Sequence, residues 1–307
     1  QTSKMAGGEV QQTIAYAKSA IGTRDPKSYV VDRLKGMIFD SNHLANGYNN
    51  IAPSTNVANV CATLGWDCTG TVHVAPKVQH FVGWLAACGF LCSGNPSDGS
   101  AGIAPGWGWW HELGHNTLIR HMTLLTDNGG GCPVECDNNI LANASALRQY
   151  AITNGSENNN GDRIDHKKLY QDIVAARATG KTDAELQADM FERFWTKAKK
   201  TDNSMRAVHF QLAFIYTKER LGQAQPQPLD VVDFIGLLGR GTRLIDSTWS
   251  ATNKNSFGMD LYTSKTISNH ELLYVLSSMI IGRDMRQVFY HYGIPLSSTA
   301  LGSNAAH

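Results

Sequence analysis

The pentapeptide His111-Glu112-Leu113-Gly114-His115 constrains this chain more than any other stretch of it. Two histidines four residues apart stand one turn apart on the same face of an α-helix, where both imidazoles can bind one metal ion; in a strand they would share a face but lie about 13 Å apart. Glu112 is then placed beside the ion's open position, where a carboxylate can act on a water. The spacing therefore predicts a helix from about Trp109 onwards. A solvated His/Glu cluster on a helix is the bland alternative for so short a pattern. Against it stand the aromatic approach Trp107, Trp109 and Trp110, a loop on each side, and further metal-ligating side chains downstream.

The third ligand has three candidates. His121 stands ten residues after His111, the spacing of a metzincin, but Leu118 occupies the position where that pattern needs a glycine for a sharp turn. Residues 118–120 read as continuing helix, which would place His121 about 80° off the His111 face and about 15 Å along the axis. Glu135 follows His115 after the glycine-rich break Gly129–Gly131, which lets the chain reverse beside the first helix. The result is H-E-x-x-H-x19-E, the layout of a zincin whose third ligand is glutamate. Asp137 is the fallback ligand, or a partner that orients one of the histidines.

Composition narrows the class. With 42% hydrophobic and 17% charged residues, the chain has enough apolar material for a sizeable core. Lys+Arg 27 against Asp+Glu 26 leaves +1, so no positive field is available for nucleic acid. The longest apolar-and-glycine run, at residues 81–92, is too short to cross a bilayer and reads as a buried helix or a strand pair. No membrane insertion is expected. The first residues show no signal peptide and no start methionine, as expected of a mature product or a part of a longer polypeptide. Six cysteines in three close pairs, Cys61/Cys68, Cys88/Cys92 and Cys132/Cys136, point to an oxidised, secreted protein, although six allow 15 connectivities. A Cys132–Cys136 bridge would hold the turn that presents Glu135.

Helical patterning is expected over 9–21, ending at Gly22, and over 205–220, 228–238 and 269–281. Thr182 and Glu185 form a capping-box signature ahead of a helix that buries Leu186, Met190, Phe194 and Trp195. Residues 46–68 read as strands and loops, and 93–105, 127–133 and 154–161 as loops. One domain spanning 1–307 is expected. Its N-terminal lobe (1–130) carries the active-site helix, and its C-terminal lobe (131–307) is mostly helical.

The segment at 106–116, GWGWWHELGHN, resembles the signature of the enhancin-like, mucin-degrading gluzincin peptidases (peptidase family sixty and relatives). In that family a W-G-x-x-H-E-x-G-H-N core precedes a glutamate ligand in an E-x-x-N-N-I-type helix. Glu135-Cys136-Asp137-Asn138-Asn139-Ile140 matches the second element. The stretch from Gly282 through Phe289-Tyr290-His291-Tyr292-Gly293-Ile294-Pro295 is similar to the family's closing pattern, with Tyr292 in place of a usual Trp and, earlier, Leu118 where many relatives have Gln.

The resemblance implies an α+β, predominantly α, zincin-like (gluzincin) metallopeptidase domain cut from a longer secreted protein. It implies one catalytic Zn2+ on His111, His115 and Glu135, Glu112 as general base, and O-glycosylated, mucin-like proteins cleaved beside the glycosylated Ser or Thr. Tyr290, His291 and Tyr292 are the candidate oxyanion donors. Trp107, Trp109, Trp110 and Asn116 are the candidate substrate contacts. Two other readings stay open: a glycan- or mucin-binding module with a non-catalytic metal site, and a metzincin-type protease using His121.

Overall fold

The computed structural model describes residues 2–5, 8–69, 78–82, 85–88, 104–125, 135–157, 166–196 and 198–303. It opens with a small sheet. β1 (Thr2–Met5) and β2 (Gly8–Gln11) are antiparallel, β3 (Val78–Val82) runs parallel to β2, and β4 (Leu85–Cys88) returns antiparallel to β3. The apolar run at 81–92 thus enters a strand pair. The loops expected at 127–133 and over most of 93–105 lie outside the described residues, as does part of 154–161.

The helix expected over 9–21 is shorter than its pattern. Residues 8–11 alternate between buried and half-buried and pair with β1, so α1 (Ile14–Ile21) starts only after Thr13, whose hydroxyl accepts from the Tyr16 amide at 3.3 Å. Gly22 ends it at φ 60°, as expected. After α2 (Pro26–Ser28) the chain winds through a π-helical run, Tyr29–Phe39, into α3 (Asp40–Ala45).

Residues 46–68, expected as strands and loops, contain α4 (Thr55–Leu64) instead. Ser54 caps it by accepting from the Val57 amide at 3.1 Å, and Gly65 ends it in the left-handed region at φ 68°. The Asn and Thr residues that resembled loop chemistry sit mainly on its exposed side, while Val57, Val60 and Cys61 face the core. Cys61 is bonded to Cys68.

The remaining elements are helical: α5 (Trp107–His115), α6 (Asn139–Ile152), α7 (His166–Arg177), α8 (Asp183–Phe191) running into a π-helical turn Glu192–Thr196, α9 (Ala198–Glu219), α10 (Pro228–Thr248), α11 (Asn269–Ile281), α12 (Arg286–His291) and α13 (Ser298–Ser303). The chain is therefore predominantly α with a small β component, as expected. The capping box at Thr182 and Glu185 forms with both of its hydrogen bonds, and α11 has the bounds that its pattern predicts.

α10 runs ten residues past its expected end at Leu238, because Gly236 and Gly239 are packing residues and not stops. A Cβ at Gly236 would lie 2.4 Å from the Leu44 carbonyl oxygen, and one at Gly239 would lie 2.4 Å from that of Asn46. Glycine costs about 1 kcal/mol inside a helix, and here it lets α10 touch the end of α3 backbone to backbone.

α11 is buried on nearly every side and lies in the main core with α6, α9 and α10. A second, smaller cluster of Val10, Tyr29, Leu34, Ile38, Phe39, Trp109, Trp110 and Leu113 joins β2 and the π-helical run to α5. No helix among the described residues is long and apolar enough to cross a membrane.

Candidate metal centre

α5 ends at the motif. Its last residue is His115, with Asn116 as the C-cap, and the Thr117 hydroxyl donates back to the Leu113 carbonyl at 3.2 Å. The helix does not continue through 118–120 as expected: Ile119 is extended (φ −132°, ψ 161°), and a short 3-10 turn covers Arg120–Met122. His121 still does not reach the motif, for a different reason. The bend carries it into the core, fully buried, with Nδ1 2.9 Å from the Thr242 hydroxyl and its carbonyl accepting from Nε2 of His209 at 3.0 Å.

His111 and His115 face each other across one helical turn, ring centroids 4.8 Å apart and planes at 84°. Ligand atoms of His111, Glu112 and His115 all lie within 4.8 Å of one another, so this cluster can hold a metal ion. The turn before α6 brings Glu135 to the same place, its Oε2 3.3 Å from His111 Nε2. Glycine at position 114 permits the approach. A Cβ there would stand 2.9 Å from the Asn138 Cβ and 3.0 Å from the Asn138 carbonyl oxygen, so any larger residue would push the two segments apart.

Two adjacent asparagines tie the segments together. Asn138 Nδ2 donates to the His111 carbonyl at 3.0 Å and lies 3.1 Å from His115 Nε2. Asn139 Nδ2 donates to the Glu135 carbonyl at 2.9 Å, which leaves Asn139 Oδ1, 2.7 Å from His111 Nδ1, as an acceptor. A carbonyl-type oxygen can only accept, so His111 carries its proton on Nδ1. That leaves Nε2, on the side of Glu135, as the nitrogen that would face a metal ion.

Burial disfavours charge on Glu112 and His115. It raises the Glu112 carboxyl pKa, helped by the neighbouring Glu135 and opposed by His111. It lowers that of His115, as does His111, while Glu135 and Asp137 oppose the shift. A neutral imidazole is the ligating form, and a carboxylate with a raised pKa is a better proton acceptor. Asp137 is buried and both its oxygens are engaged, by the Thr123 hydroxyl at 3.0 Å and the Asn138 amide at 3.0 Å. The residue that orients His111 is therefore Asn139, which sequence reasoning passed over as part of a helix pattern. Cys136 is disulfide-bonded, while Cys132 lies outside the described residues.

The tryptophans divide. Trp110 has no exposed surface and donates Nε1 to the Met37 carbonyl at 2.9 Å, and Trp109 is 7% exposed. Both are core residues, which corrects their expected substrate role: on a helix with one face against a core, two of three neighbouring aromatics are drawn inward. Trp107 is half-buried, one turn before His111, with the Arg206 guanidinium 5.9 Å from its ring centroid. Asn116 caps α5, and its buried Nδ2 has no hydrogen-bond partner among the described residues.

Tyr290, His291 and Tyr292 gather elsewhere, at the end of α12 against α8 and α9. Tyr292 is 3% exposed, packs on Phe194 and accepts from Trp195 Nε1 through its carbonyl at 2.6 Å, so it is a core residue. Tyr290 and His291 line a cavity with Arg177, Asp183 and Gln187. No residue of the His111–His115 motif lines that cavity.

No protein-family model matches the chain. The chain is 32% identical, over 276 residues, to the immunomodulating metalloprotease of Pseudomonas aeruginosa, a match covering 84% of this chain and 28% of that protein. The solved structure of the IMPa metallopeptidase from Pseudomonas aeruginosa superposes on 99% of this chain with a TM-score of 0.80 at 25% identity, and the chain covers 34% of it. A structure of IMPa in complex with an O-glycopeptide gives a TM-score of 0.79 at 26% identity over the same shares, 99% and 34%. The chain thus spans about a third, or less, of the length of these relatives. In sequence and in fold, this chain is a relative of one part of the immunomodulating metalloprotease.

Proposed function

We propose that the chain is a zinc-dependent endopeptidase domain that hydrolyses peptide bonds next to O-glycosylated Ser or Thr in mucin-like glycoproteins. The observation that carries this reading is the convergence of His111, Glu112 and His115 within 4.8 Å, with Glu135 reaching His111 from a second segment. The glycan part draws on relatives of similar fold solved with an O-glycopeptide and with T-antigen.

The donor set suits zinc: two imidazole nitrogens and a glutamate oxygen, one imidazole held in the ligating tautomer by Asn139. Zinc on His111, His115 and Glu135 would polarise the scissile carbonyl and make an adjacent water easier to deprotonate. Glu112 takes the water's proton on a carboxylate oxygen and returns it to the leaving amine nitrogen. Asn138 and Asn139 hold the two segments in register, and Trp107 offers a half-exposed ring to substrate one turn ahead of His111. The Cys61–Cys68 bridge supports a secreted, extracytoplasmic setting.

The test is digestion of a glycosylated mucin and of the same polypeptide without sugars, each with and without chelator. Cleavage of the glycosylated form alone, abolished by chelator and restored by zinc, is expected. Cleavage indifferent to sugars removes the glycan requirement, and cleavage indifferent to chelator removes the metal mechanism.

A further inference from the structure

The closing segment at Tyr290–Tyr292 borders two adjoining cavities. One, of about 430 Å³, is walled by Tyr170, Val174, Gln211, Phe214, Arg177 and His291; the other, of about 260 Å³, continues past Arg177 and His291 to Gln187 and Tyr290. Arg177 and His291 are the polar residues common to both. Arg177 forms no ion pair among the described residues, and His291 Nε2 is buried without a hydrogen-bond partner.

The apolar wall is unusually open to solvent. Tyr170 is 68% exposed, Val174 47% and Phe214 37%. Tyr170 and Val174 stand one turn apart on α7, so they share a face beside Phe214 of α9. An aromatic surface next to an unpaired guanidinium and an unpaired imidazole nitrogen is a mixed site: it offers a flat apolar platform for C–H groups and a cationic end for a carboxylate.

We infer that this double cavity binds a carboxylated sugar, with its carboxylate on Arg177 beside His291 and its ring on Tyr170 and Phe214. Asp183 lines the smaller cavity but not the larger one, which favours the larger for an anion. The choice of a sugar over another carboxylate rests on the O-glycan reading above. The cationic, aromatic-lined site itself does not.

The burial of His291 and the nearby Arg177 charge lower the His291 pKa. A carboxylate seated between the two groups would offset the Arg177 charge and raise the His291 pKa, which gives a local readout.

N-acetylneuraminic acid and, as the neutral control, N-acetylgalactosamine are titrated at millimolar concentration into the chelator-treated protein. Binding is followed by calorimetry and by the His291 imidazole resonance. The acidic sugar is expected to bind and to raise the His291 pKa, and the neutral sugar to do neither. Arg177→Gln, an exposed change whose folding is checked by melting temperature, is expected to weaken binding about tenfold or more. Tyr170→Ala is expected to weaken it less. Equal binding of both sugars, no binding of either, or full retention in Arg177→Gln overturns the assignment. Cleavage of glycopeptide is scored separately. A protein that binds the acidic sugar but cleaves nothing refutes only the peptidase reading, and one that cleaves but binds no acidic sugar refutes only this site.

Discussion

Asn139 accepts a hydrogen bond from His111 Nδ1 at 2.7 Å while donating to the carbonyl of Glu135 at 2.9 Å, so one amide side chain sets the tautomer of one candidate ligand and the position of another. Asn139→Ala should leave the helix intact and lower metal affinity by about 10- to 100-fold, the usual cost of losing a group that orients a ligand. Metal content after dialysis against graded chelator measures this. Retention equal to wild type would mean that Asn139 has no orienting role.

Glu112→Gln keeps the shape of the side chain but removes its basicity. Turnover is expected to fall by about 10²- to 10⁴-fold while metal content and melting temperature stay near wild type. A variant that loses metal and activity together would instead make Glu112 a ligand.

Gly114→Ala probes the contact between α5 and the turn at Asn138. The added Cβ meets backbone and Cβ atoms at 2.9 to 3.0 Å, which no rotamer change can relieve. A loss of about 1–3 kcal/mol in stability and a lower metal occupancy are expected, read by denaturant midpoint and metal analysis. Leu113→Met, a volume-conserving change on the buried side of the same helix, should do neither.

Acid stability has two opposing contributors. Burial, then the Lys35 and Arg243 charges, lower the pKa of His43 to about 4. The unfolded value is near 6.5, so this stability is fully present above about pH 6.5 and is lost as pH falls toward 4, by roughly 3 kcal/mol at most. His121 and His209, also buried with lowered pKa values, act in the same direction. Asp233, which accepts from the Ser54 hydroxyl at 2.5 Å, is pushed up to about 6 by burial, so it favours the folded state below about pH 4 and stops doing so as pH rises to 6. Asp233→Asn should therefore be more stable than wild type at pH 7 and decline more steeply on acidification, measured as denaturant midpoint against pH.

Local signals were legible wherever one segment sufficed. The helical spacing of His111 and His115, the capping box at Thr182 and Glu185, and the bounds of α11 all depend on neighbours within a few residues. The strand character of residues 8–11 was not legible, because it is decided by pairing with β1, and neither was α4, whose exposed Asn and Thr mimic a loop. His121 was set aside on the expectation of a continuing helix. In fact the helix ends, and burial against Thr242 and His209 removes it.

The sequence by itself determined the metal-binding motif, the helix that carries it and the candidacy of Glu135, because these follow from side-chain chemistry and a 3.6-residue period. Only the tertiary structure decided which aromatics face solvent, that Asn139 orients His111, and that Tyr290–Tyr292 belong to another cavity. Each of those depends on which segments meet across long stretches of chain. Packing distances such as those at Gly114 and Asn138 settle that, and no local pattern encodes them.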